Sequence, residues 1–63
     1  MDKVSSNMQQ YIIETSEKRL GKKLSSEIIE KIKKYSSYIG LEIIIDTVNS
    51  IEIEKLEHYL NDL

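Results

Sequence analysis

Nucleophilic catalysis by a serine or threonine needs a base held against it, and this chain has one histidine, His58, and no cysteine. His58 lies among acids near the carboxyl end, where a solvated imidazole is the expected state. Glu54 stands four residues before it and can share its helix face, yet two ligands do not hold a metal. The Glu-x-x-His spacing of di-iron bundles also fails, because Lys55 stands three before the histidine. Glu52 and Glu54, two apart, diverge on a helix and cannot act as a paired acid and base. Gly21 and Gly40 are isolated, so no glycine-rich loop cradles a phosphate. The expectation is a non-enzymatic protein with no cofactor and no metal.

Charge is the chemistry that remains. Lys18, Arg19, Lys22 and Lys23 surround one turn in the run EKRLGKKLSSE, residues 17–27, and a phosphate approaching there would meet four cations and the amino end of the next helix. Residues 1–40 carry eight basic against five acidic residues, whereas residues 41–63 carry Lys55 against six acids. The formal net charge of −2 therefore hides a basic part and an acidic part, a split that steers a polyanion to one side or favours association of copies.

The elements that must position these groups follow from periodicity. Val4, Met8, Tyr11, Ile12 and Leu20 have helical spacing, with Ser6 and Gln9 spaced as a capping box, which predicts a first helix from about residue 6 to 20. Gly21 closes it in the left-handed conformation that only glycine adopts cheaply. Ser25 is the expected N-cap of a second helix, stapled by Leu24 and Ile29. Its apolar stripe reads Ile28, Ile32, Tyr35, Ile39, its outer side carries Glu27–Lys31 and Glu30–Lys34 at i,i+4, and Gly40 is expected to end it. Residues 41–48, LEIIIDTV, fit either a strand or a helix. A lone strand has no partner elsewhere, so a short helix is expected. Asn49 with Glu52 repeats the capping pattern, Val48 and Ile53 are placed to staple, and Ile53, Leu56, Tyr59, Leu60 and Leu63 form a last helical stripe. Tyr11, Tyr35 and Tyr59 fall on or beside the stripes and read as core residues, while Tyr38 lies off them.

The fold class that results is all-α, a compact small bundle of about four short helices forming one domain over residues 1–63. A chain of this size has a marginal core and neither a disulfide nor a Cys/His zinc site to staple it, so self-association into a homo-oligomer is expected. No apolar run is long enough for a membrane span and the amino terminus lacks a signal-peptide centre, so no membrane contact and a cytoplasmic location are expected.

Glu17, Leu20, Gly21, Lys22, Leu24 and Ser25 fall at the places of an E-x-x-F-G-R-x-L-S junction, and the sequence resembles the DnaD-like domain of Gram-positive bacterial and phage primosome proteins. Tyr35 stands about where that family has tryptophan, Gly40–Ile44 is similar to its glycine-containing turn, and Lys55–Leu63 is similar to its terminal Y-I-x-x-I-L-x-x-W segment. Lys55 and Leu63 depart from that last motif, the connection from Val48 to Lys55 is shorter, and the resemblance does not extend to that family's winged-helix domain or basic tail. The resemblance spans roughly residues 15–63. It implies a helical module of replication initiation that makes protein contacts through Leu56, Tyr59 and Leu60 and weak DNA contacts through Lys18, Arg19, Lys22 and Lys23. The alternative, from the size, the acidic ending and a chain expected to be complete from Met1, is a small phage or mobile-element protein. It would bind and inhibit a host protein, with carboxylates standing where phosphates would sit.

Overall fold

The helix with the longest run is set by a buried face that is largely polar. In the computed structural model, which describes residues 3–63, α1 spans Lys3–Leu20 and buries Ser5, Gln9, Ile12, Ile13 and Ser16. These positions repeat at four, three, one and three residues, so they form one continuous helical stripe. Apolar periodicity alone points to a different face. Val4 and Tyr11 are 55 % and 46 % exposed, and the helix is rotated so that its small and amide side chains meet the other helices. Ser6 and Gln9 accordingly form no capping box, because both lie inside the helix.

Gly21 ends α1 with φ at +72°, and its amide donates to the Glu17 carbonyl. The Glu17 carboxylate then accepts from the Leu24 amide, which holds the turn against the end of the helix. Helix α2, Ser26–Lys33, starts as its cap chemistry requires: the Ser25 hydroxyl accepts from the Ile28 amide, and Leu24 is buried while Ile29 packs at the edge of the core. Because its start is tied to Glu17 and its end to Gln9, α2 folds back along α1.

The end of α2 corrects the sequence expectation. The helix stops at Lys33, several residues before Gly40, and Ile39 is 73 % exposed instead of continuing the core stripe. Two interactions account for the break. Gln9 donates from its side-chain amide to the carbonyls of Lys33 and Tyr35, giving them partners outside their own helix. The Ser37 hydroxyl accepts from the Gly40 amide and caps a new helix, α3, Tyr38–Ser50. Gly40 thus lies in the first turn of α3. Residues 41–48 are helical within it, with Leu41, Ile44 and Val48 buried.

Helix α4, Ile53–Asn61, buries Leu56 and Leu60. Its N-cap is Glu52, with no side-chain cap bond, whereas Asn49 stays inside α3 and hydrogen-bonds to the Ile45 carbonyl and to Tyr11. The staple positions flanking this cap are Ile51 and Leu56, both at the core, while Ile53 is 53 % exposed. Lys31 donates to the Asn61 carbonyl, tying α2 to the end of α4, and neither Glu27–Lys31 nor Glu30–Lys34 closes as an ion pair among the described residues.

The product is a small all-α bundle in which α1 packs against each of the other three helices. Its radius of gyration, 10.7 Å, is close to the roughly 11 Å of a folded chain this long. Among the described residues the core is a single cluster of ten aliphatic side chains, with Ile12, Ile32, Leu41, Val48, Leu56 and Leu60 wholly enclosed. Among the described residues no helix is long and apolar enough to cross a membrane.

Candidate interaction surfaces

The four cations of the basic turn have different environments. Arg19 is half-buried, and its Nη1 donates to the Val48 carbonyl at 2.7 Å, so the guanidinium serves the carboxyl end of α3. Lys22 pairs with Glu57 of α4 at 3.0 Å on the surface. Lys18 and Lys23 are exposed and make no side-chain hydrogen bond or ion pair among the described residues. Folding therefore brings the four together around one turn but leaves two of them without such a partner. An acid from the far end of the chain also stands beside the turn, which reduces its pull on a polyanion.

The three residues expected to meet a protein lie mostly inside. Leu56 and Leu60 are wholly enclosed in the core and Tyr59 is half-buried against it, because α4 turns its apolar stripe onto α1. A folded monomer offers a partner no Leu56 or Leu60 surface. Tyr35 and Tyr59 pack at the core as expected. Tyr11 does not: it is exposed, and its hydroxyl exchanges hydrogen bonds with the Asn49 side chain. Tyr38 is exposed at 44 %, as its position off the stripe implies.

The apolar side chains that the fold leaves in water lie mostly on α1 and α3, with Ile53 at the start of α4 the exception among the described residues. Ile39 and Ile43, four residues apart on α3, are 73 % and 59 % exposed. A separate shallow groove of about 360 Å³ is lined by Val4, Asn7, Met8 and Tyr11 of α1 and Ile45 of α3. Sequence reasoning assigned Ile39 and Val4 to the core, since each continues an apolar stripe. The serine pair Ser36–Ser37 before Tyr38 was the available signal that a helix starts there and turns Ile39 outward.

His58 is exposed, and its Nε2 lies 3.3 Å from the Asp62 carboxylate. Among the described residues no three His, Cys, Asp or Glu side chains gather into a metal-holding group. Comparison of the chain with protein-family models, with curated proteins and with solved structures gave no match.

Proposed function

We propose that this chain is a non-enzymatic helical interaction module that binds a partner protein through α3 and touches DNA only weakly, as a DnaD-like component of replication initiation would. The observation that carries this is the pair Ile39 and Ile43, presented in register on one face of a capped helix and left in water. Burying what is exposed of these two side chains against a partner contributes at most about 1.5–3 kcal/mol each, before the cost of association. The docking surface is placed on α3, in exchange for the α4 residues that the core consumes. Lys18 and Lys23 supply the DNA contact, which is sequence-independent and sensitive to salt.

The test is capture by the tagged chain from lysate of a low-GC Gram-positive bacterium at about 50 and about 500 mM salt, where screening separates protein targets from DNA contacts. A protein retained at both salts and lost with Ile39→Glu/Ile43→Glu is the expected result. Capture that ignores this double substitution removes α3 as the docking surface.

A second reading has its own support. Glu42, Asp46 and Glu54 of the acidic helices α3 and α4 carry no ion pair among the described residues. Unpaired carboxylates on rigid helices suit an inhibitor that occupies a nucleic-acid channel of a host protein. In that case Glu42→Gln/Asp46→Gln abolishes capture, and the captured protein loses its own nucleic-acid binding when the chain is bound. Capture untouched by that pair of substitutions discards the inhibitor.

A further inference from the structure

We infer that the outer face of α1 is a self-docking surface, on which a second copy of this chain lays its own α1 antiparallel across a two-fold axis near Met8. The inference makes no use of Ile39 and Ile43, and it stands or falls separately from the function proposed above.

The groove beside α1 is apolar except for Asn7 and the Tyr11 hydroxyl, and it exists because the helix is rotated about a polar buried stripe. Val4 and Tyr11 are displaced outward by that rotation, and Met8 between them is half-buried at the core's edge with part of its side chain in the groove. Their spacing of four and three makes a continuous ridge, which is what an antiparallel helix needs to pack against. Val4 and Tyr11 are disposed on either side of Met8, so a two-fold axis there sets Val4 of each copy against Tyr11 of the other.

Charge selects the occupant and its direction. Lys3 and Glu14 are both exposed and stand five residues before and six residues after Met8. Eleven residues are just over three full helical turns, so both lie along one edge of the ridge, beyond Asn7. In an antiparallel pair like edges meet, and Lys3 of one copy falls beside Glu14 of the other, twice over by symmetry. A parallel pair would instead set Lys3 level with Lys3 and Glu14 level with Glu14, on opposite edges, and neither charge would find its complement. Glu14 already accepts from the Gln10 side-chain amide, which orients its carboxylate without using all of its acceptor capacity.

Area sets the strength. A standard interface takes about 800 Å² from each partner, and this chain exposes 4338 Å² in all. The outer face of α1 with the rim of α3 is a modest part of that surface, so the dimer is weak and concentration-dependent.

Sedimentation equilibrium of the full chain from about 1 to about 500 µM tests it. A monomer–dimer equilibrium is expected, absent in Met8→Glu. Lys3→Glu and Glu14→Lys should each weaken dimerisation roughly three- to tenfold, and the combined swap should restore it to within about twofold of the parent. All three positions are exposed or at the core's edge, and far-UV circular dichroism verifies that each variant keeps its helices. A chain that stays monomeric throughout leaves the groove to a foreign helix and overturns the inference. Dimerisation indifferent to the charge swaps, or growth into open-ended assemblies, overturns it equally.

Discussion

Arg19 reaches from the last turn of α1 to the carbonyl of Val48 in α3, and this bond draws the guanidinium away from the basic turn where a phosphate would meet it. The cation best suited to bidentate phosphate contact has a structural task in this fold, and the turn is left with Lys18 and Lys23. Arg19→Ala should therefore lower stability by about 1–2 kcal/mol in chemical denaturation while leaving DNA retention at low salt unchanged. Lys18→Glu/Lys23→Glu should do the reverse, abolishing retention with little change in the unfolding midpoint. For the parent chain, two phosphate contacts imply binding that weakens about tenfold between roughly 50 and 200 mM salt. Duplex binding that persists at physiological salt contradicts the assignment.

Gln9 is buried, and its amide serves two carbonyls, those of Lys33 and Tyr35, at the break between α2 and α3. Removing it strands those acceptors at the edge of the core. Gln9→Ala should cost about 1–3 kcal/mol, a large share of the roughly 3–5 kcal/mol that a core of this size supplies. Thermal unfolding should fall by more than about 5 °C, and a variant as stable as the parent would show that the helix break does not depend on this side chain.

Ser16 is fully enclosed, and its hydroxyl has no hydrogen-bond partner among the described residues. Ser16→Ala removes an unsatisfied polar group from the core and improves helix propensity at a position where the volume change is small. It should stabilise the bundle by about 1 kcal/mol, read as a higher denaturation midpoint with unchanged slope. A loss of stability would mean that the hydroxyl has a partner in solution.

The two glycines should respond in opposite senses. Gly21 has a positive φ, and a Cβ at that position would face open space, so Gly21→Ala meets no atom yet is strained by about 1–2 kcal/mol in its backbone. Gly40 is helical, and a Cβ there would rest at 3.5 Å from the Tyr35 ring, an ordinary contact. Gly40→Ala should therefore raise stability by up to about 1 kcal/mol. Parallel melts of the two variants check the contrast, and a shift of the same sign in both would refute it.

Local chemistry was legible wherever neighbours in sequence satisfy one another. Gly21 closing α1, Leu24, Ser25 and Ile29 opening α2, and the helical stripe of Leu56 and Leu60 all rest on interactions within a few residues, and the structure reproduces them. So does the choice of helix for residues 41–48, since no other segment offered a strand partner. Apolar periodicity failed on α1, where the buried stripe contains Ser5, Gln9 and Ser16 and the outward one contains Val4 and Tyr11. A hydrophobicity pattern has no means of recognising an amide that is buried because it satisfies carbonyls more than twenty residues away.

Helix spacing, caps and charge are written in adjacent residues, and from them alone follows an all-α bundle with a basic turn and an acidic end. Long-range contacts set where α2 stops, through Gln9 and Ser37, and which way α1 faces. They also set which cations remain available, because Arg19 and Lys22 find partners in α3 and α4 that are distant along the chain and close only after folding. The apolar side chains left in water are those that these contacts do not consume, and the core's claim on Leu56 and Leu60 leaves them mostly on α3 and the outer face of α1.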